Sequence, residues 1–105
     1  VNLEPSFAYI VTNKPRGTLY LGVTADLVRR VSEHKQVAGR SFTARYNLDK
    51  LVWFEVFGEI ERAIQRETSL KRRSREWKIK LIEMGNPGWR DLFEDIPPPS
   101  FSAEA

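Results

Sequence analysis

The chain has 105 residues, 41% hydrophobic and 30% charged, the length and balance of one globular domain rather than a disordered segment. Cysteine is absent and His34 is the sole histidine, which excludes a disulfide framework, a thiolate zinc site, a cysteine nucleophile and a multi-histidine metal site. The net charge of +3 conceals an asymmetry: residues 91–105 hold four acids and no base, leaving 17 bases against 10 acids in residues 1–90, a net of +7. No apolar run reaches the roughly 18–20 residues needed to span a bilayer, and no signal-peptide pattern opens the chain. A soluble cytoplasmic protein without a membrane partner, monomeric by default, is the expectation.

Residues 7–12 (FAYIVT) are rich in β-formers and read as a strand. Residues 13–17 (NKPRG) are a turn cluster, with Pro15 fixing one φ and Gly17 able to adopt φ > 0. Residues 18–23 (TLYLGV) read as a second strand, so the two form an antiparallel hairpin. Its alternation places Leu19, Leu21 and Val23 on one face, and Tyr20 and Gly22 on the other. Thr24 or Asp26 then caps a helix running to about Lys35. A polar stretch containing Gly39 leads to a third strand, residues 50–57 (KLVWFEVF). A helical pattern follows from about Glu59 to Met84, with an interruption near Ser74, and residues 85–88 (GNPG) stop it. One further turn is expected between Trp89 and Phe93. The order ββαβαα predicts an α+β domain, a small three-stranded antiparallel sheet flanked by helices, over residues 1–96, with 97–105 as a disordered tail.

Polar residues stand where the period calls for apolar ones. At about 100° per residue, Leu27 and Val31 set the inward face of the first helix, and Arg30 and His34 fall within about 60° and 20° of Leu27. Arg29 falls on the opposite side, so of two adjacent arginines only Arg30 is directed at the sheet. A buried guanidinium needs an anion, either a carboxylate or a phosphate. On the second helix Ile60, Ala63, Ile64 and Leu70 define the apolar stripe, and Glu67 sits within it. A carboxylate there calls for a cation, a metal or a strong hydrogen-bond donor, and an ion pair with Arg30 across the core would supply one. Tyr9 and Tyr20 lie on neighbouring strands, and Gly22, on the face of Tyr20, weakens its strand unless something, nucleic acid being the expected partner, must approach the backbone closely. Eight bases between Arg62 and Lys80, against Glu67 and Glu76, form a basic helix suited to a polyanion. Arg62, Arg66, Arg72, Arg73 and Arg75 lie largely off the apolar stripe; if they are instead a solvated face balanced by Glu59, Glu61 and Glu76, the track runs from Lys35 to Arg45.

These residues resemble the GIY-YIG nuclease superfamily, most closely its small single-domain bacterial members. The first signature stands as Phe7-Ala8-Tyr9 and keeps only the tyrosine. The second stands as Tyr20-Leu21-Gly22 and keeps both of its diagnostic residues. The family's arginine, ten residues beyond the second tyrosine, is Arg30, and His34 follows four residues later. The resemblance makes Glu67 the metal-binding glutamate and Asn86 the downstream asparagine at the nucleic-acid site. It implies a DNA endonuclease with Tyr9, Tyr20, Arg30, His34 and Glu67 in its active site and one Mg²⁺ or Mn²⁺ ion on Glu67. A hard cation tolerates one protein carboxylate with waters and substrate phosphate completing its shell. Arg30 would hold the scissile phosphate, and a tyrosine or His34 would serve as the base. Selectivity for DNA shape rather than base sequence is expected, with RNA left open. Two other classes compete: a non-catalytic nucleic-acid-binding module on the same fold, and a protein-interaction adaptor using the aromatic C-terminus.

Overall fold

The computed structural model describes residues 5–36 and 47–97. Arg45 and the expected tail from 98 onward lie outside the described residues. The elements are β1 (Ser6–Thr12), β2 (Leu19–Thr24), α1 (Leu27–Lys35), β3 (Lys50–Phe57), α2 (Ile60–Lys71) and α3 (Arg75–Gly85), followed by a 3₁₀ turn at Phe93–Asp95. The three strands form an antiparallel sheet in the order β2-β1-β3, the expected ββαβαα α+β architecture. No helix among the described residues is long and apolar enough to cross a membrane.

β1 is the central strand and all seven of its residues are buried. Its side chains alternate between two cores, as the period of a strand requires. Phe7, Tyr9 and Val11 join Leu27 and Val31 of α1 with Leu48 and Leu51. Ile10 faces the other way and joins Leu21, Val52, Leu70 of α2, Ile79 and Ile82 of α3, and Trp89. The sheet is therefore filled between α1 on one side and the α2–α3 pair on the other. Each fully buried aliphatic side chain in these cores contributes about 1.5–3 kcal/mol.

Local chemistry sets the element ends. Asp26 caps α1, its Oδ1 accepting from Arg29 N at 3.2 Å, while Thr24 Oγ1 accepts from Asp26 N at 3.0 Å; both expected cap residues take part. Ser74 accepts from Trp77 N at 3.1 Å and starts α3 where the long helical pattern was expected to break. The hairpin turn departs from expectation. Positive φ falls on Arg16, at 57°, rather than on Gly17. Gly17 is needed for space: a Cβ there would lie 2.8 Å from Lys14 Cγ and 2.9 Å from Lys14 O. Arg16 is tied down by Glu83, at 3.2 and 3.3 Å. Trp89 Nε1 also donates to Glu83 at 2.7 Å. These bonds, Trp89's first and then Arg16's, hold the Glu83 carboxyl below its usual range.

The ladder between β1 and β3 slips by one residue: Ile10 pairs with Trp53 but Val11 with Leu51. Val52 is the extra residue of this bulge, and such a residue is left outside the ladder's hydrogen bonding. Its carbonyl is satisfied by Asn86 Nδ2 at 3.2 Å. The same amide donates to Arg90 O at 2.8 Å and its Oδ1 accepts from Arg90 N at 3.0 Å. Asp91 continues the clamp: Oδ1 accepts from Leu51 N and Phe93 N, and Oδ2 from Lys35 Nζ at 2.5 Å. Residues 86–96 are thus stapled to the bulged strand, with Leu92, Phe93 and Ile96 against the α1-side core.

Asn86 is buried and its amide is engaged on both ends, which gives it a structural task of its own. Asn86→Ala should cost about 2–3 kcal/mol, the penalty for stranding a buried carbonyl and amide. A thermal melt checks this. An unchanged melting temperature with weakened nucleic-acid binding would return Asn86 to the surface role.

Candidate active site

The hairpin register creates the site. Tyr9 pairs with Gly22, and Val11 with Tyr20, so both tyrosines and the glycine share the α1 face of the sheet, as the alternation indicated. A Cβ on residue 22 would lie 2.5 Å from Tyr9 Oη, 2.6 Å from Cζ and 2.7 Å from Cε1. The phenol ring therefore lies across the backbone of Gly22, and the close approach that this glycine marks is made by Tyr9 itself.

His34, buried on the last turn of α1, meets the ring from the other side. Its Nε2 lies 3.2 Å from the Tyr9 hydroxyl. Its ring is edge-on to Tyr9 and to Tyr20, with centroids 5.8 Å away in each case. Burial pushes the Tyr9 phenol above its ordinary range; Arg30 opposes that shift, while Tyr20, Glu67 and Glu33 add to it. Burial also lowers the His34 pKa, and Arg30 lowers it further against the opposing charge of Glu33. Both groups are neutral at pH 7. With the imidazole proton on Nδ1, the Tyr9 hydroxyl donates to Nε2.

Arg30 corrects one expectation and keeps another. Its side chain is 46% exposed, against 67% for Arg29. It is the more inward of the two but is not buried, because α1 seats itself on Leu27, Val31 and His34 and a long guanidinium side chain reaches the rim. Its charge nevertheless acts on Tyr9 and His34.

Glu67 departs further. It pairs with Lys71 at 3.0 Å rather than with Arg30 across the core. Ile60 and Ile64, expected in the buried stripe, are 39% and 48% exposed. Ala63 and Leu70 alone fix the buried line of α2. From Ala63, Glu67 is displaced by about 40° and Ile64 by about 100° at the helical period, so the carboxylate stands nearer the sheet than the isoleucine does. Glu67 retains only 19% of its side-chain exposure, and α2 packs on β1 and β2, close enough for its charge to act on Tyr9.

The expected nucleic-acid residues separate into two groups. Arg62, Arg72 and Arg73 are exposed, with Arg73 stacked 4.6 Å from the Trp77 ring. Arg66 is engaged with Glu55 at 2.9 Å and the Trp53 ring. Lys35 is held by Asp91 and Asp49 O, and Arg75 donates to the Arg16 carbonyl. Glu33 is a site group the sequence reading passed over. It lies 3.0 Å from Arg29 and 3.9 Å from Arg30, and its spacing of four and three residues from those arginines was the signal for it.

A phenol pinned over a strand glycine, an imidazole on its hydroxyl, an arginine at the rim and a glutamate on the second helix whose charge reaches the phenol make up the candidate site. The chain belongs to the GIY-YIG family: the GIY-YIG catalytic domain matches residues 5–80. It is 34% identical over 83 residues to a UPF0213 protein of Staphylococcus saprophyticus, covering 79% of this chain and 100% of the relative. A UPF0213 protein of Haloquadratum walsbyi is 38% identical over 79 residues, covering 75% of this chain and 88% of the relative. One from Pediococcus pentosaceus is 32% identical over 83 residues, covering 79% and 87%. No solved structure matches.

Gly22→Ala should displace the Tyr9 ring and cost about 1–3 kcal/mol by overpacking; the melting temperature checks this, and the Gly22→Ala/Tyr9→Ala pair should show that the alanine at 22 costs little once the ring is gone. The pH response follows from the two shifts. His34 has a folded pKa below its ordinary 6.5, so the unfolded chain binds the proton more readily and stability falls as pH drops below about 6.5. Tyr9 has a folded pKa above its ordinary 10.0, so stability falls again as pH rises above about 10. Melts across pH 5–11 should show both limbs, with the acid limb reduced in His34→Gln and the alkaline limb in Tyr9→Phe.

Proposed function

We propose that the protein is a divalent-metal-dependent endonuclease that hydrolyses phosphodiester bonds in DNA, with Tyr9, Tyr20, Arg30, His34 and Glu67 as its working residues. The observation that carries this reading is the Tyr9–His34 pair, a neutral phenol and a neutral imidazole 3.2 Å apart, in a chain of the GIY-YIG family. Burial keeps Tyr9 from serving as a resting phenolate. The attacking water therefore passes its proton to the Tyr9 oxygen as the phenolic proton passes to His34 Nε2, which makes the imidazole the final acceptor. Arg30, charged and half-exposed at the rim, offers a fork of donors to the scissile phosphate and offsets its developing charge. Tyr20 packs edge-on against the same imidazole.

The donor set fits one hard cation. Glu67 offers carboxylate oxygens with modest exposure, and Mg²⁺ or Mn²⁺ takes one such ligand with waters and phosphate oxygens. No group of three or more metal-ligating side chains is present among the described residues, and a single-carboxylate site requires none. The ion would be held by Glu67 and would supply charge neutralisation at the phosphate. Lys71, 58% exposed, can return its ammonium to water as the ion's charge takes its place beside the carboxylate. The exposed Arg62, Arg72 and Arg73 suit phosphate contacts, which position a duplex without reading sequence; selection by DNA structure is part of the proposal.

One observation favours a second reading. The Lys71–Glu67 pair already satisfies the carboxylate, as a non-catalytic nucleic-acid-binding module on this fold would have it. Supercoiled plasmid with Mg²⁺ or Mn²⁺, with and without chelator, separates the two. Nicking should require the metal. It should collapse in Glu67→Gln and in Arg30→Ala, while Arg29→Ala cleaves normally at saturating substrate. Binding without metal-dependent nicking of any DNA would select the module, and nicking of RNA alone would move the substrate class.

A further inference from the structure

Glu33 is a charged group beside the site that no step of the proposed hydrolysis uses. Its Oε2 lies 3.0 Å from Arg29 Nη1, and its Oε1 lies 3.9 Å from Arg30 Nε. One carboxylate is thus divided between two adjacent arginines, the nearer of which is the one directed away from the site. Arg29 is itself shared, its Nε lying 3.7 Å from Asp26 Oδ2. Arg30 has Glu33 as its only ion-pair partner among the described residues. All three side chains are about half-exposed or more, so they can exchange partners without uncovering the core.

We propose that Glu33 is the local counter-charge of Arg30, standing 3.9 Å from its Nε while hydrogen-bonded to Arg29 at 3.0 Å, and that it is drawn wholly onto Arg29 when a substrate phosphate binds Arg30. The inference rests on the nuclease reading, in which Arg30 receives the phosphate. Two anions crowded onto one guanidinium repel each other, so phosphate binding draws Glu33 toward the arginine that already holds its other oxygen. Glu33 is then a positioning residue: acting through Arg30, it sets a competitive threshold for weak phosphate contacts. The groups that face His34 are Tyr9 from β1, Tyr20 from β2, and Arg30 and Glu33 along α1 itself. The charge of Glu33 raises the His34 pKa against the lowering effects of burial and Arg30, so the carboxylate acts at the heart of the site and not only on its rim.

The test uses the full chain carrying Glu67→Gln to prevent cleavage, with a short labelled duplex titrated by fluorescence anisotropy. Adding Glu33→Gln should tighten binding about two- to fivefold at low salt, the range of a single exposed charge pair, with the gain fading as salt rises. Arg29→Ala should weaken binding more when Glu33 is present than when it is glutamine, because only then does the carboxylate return to Arg30. Equal affinity with and without Glu33, or equal losses on Arg29→Ala in both backgrounds, overturns the proposal. A second readout needs no nucleic acid: NMR titration of the His34 imidazole should give a lower pKa in Glu33→Gln, and inorganic phosphate should perturb that resonance at lower concentration. An imidazole indifferent to Glu33 overturns the proposal as well. Failure of the parent and the variant alike to bind duplex would overturn the nuclease reading and this inference together, whereas binding at equal affinity removes this inference alone.

Discussion

The ring of Tyr9 occupies the space that a side chain on residue 22 would fill, and the positions of the other site groups follow from that contact. Pairing Tyr9 with Gly22 across the hairpin lets the phenol lie flat on the neighbouring strand and brings its hydroxyl to the edge of the sheet. α1 then needs only its own apolar anchors, Leu27 and Val31, to carry His34 onto that hydroxyl and Arg30 to the rim. A larger residue at 22 would force the ring off the strand, and the helix would meet it in a different place. The strand weakness that a glycine brings is offset by the full burial of β1 beside it.

The rest of the fold keeps that hairpin rigid. Its tip is held to α3 by Arg16 and Glu83, and its outer face is filled by Leu21 against Ile10 and Leu70. The opposite edge of β1 is secured by a different device. The bulge at Val52 leaves a carbonyl outside the ladder, Asn86 satisfies it, and Asp91 then fastens Lys35 of α1 to Leu51 of β3. The C-terminal segment thereby ties the site's own helix to the sheet, although it lies beyond the residues 5–80 that the family shares.

Local patterns made most of this legible. The strand alternation identified the face shared by Tyr20 and Gly22, and the helical period singled out Arg30 over Arg29. The start of α1 followed from Asp26, the division between α2 and α3 from the break near Ser74, and the end of α3 from the run from Gly85 to Gly88. What the pattern misjudged was which side chains of α2 are covered and what pairs with Glu67. Ile60 and Ile64 obey the helical period, but a helix resting on a sheet touches it along a narrow line, and Ala63 and Leu70 take that line. The supposed partner of Glu67 was a remote arginine, whereas a lysine one turn away reached it first. Asn86 and Lys35 are polar residues, and only the bulge in β3 and the return of the chain past it reveal the bonds that Asn86 makes inside and Lys35 makes at its half-buried edge.

The pairing of a neutral Tyr9 with a neutral His34 is the claim on which the proton route depends. Long-range ¹⁵N NMR of the His34 ring in the wild-type protein at pH 8, compared with Tyr9→Phe, addresses it without any assay of activity. The expected result is an imidazole protonated on Nδ1, with an Nε2 shift characteristic of an accepted hydrogen bond that is lost in Tyr9→Phe. An imidazolium at that pH, or an Nε2 resonance that does not respond to removal of the Tyr9 hydroxyl, would contradict it.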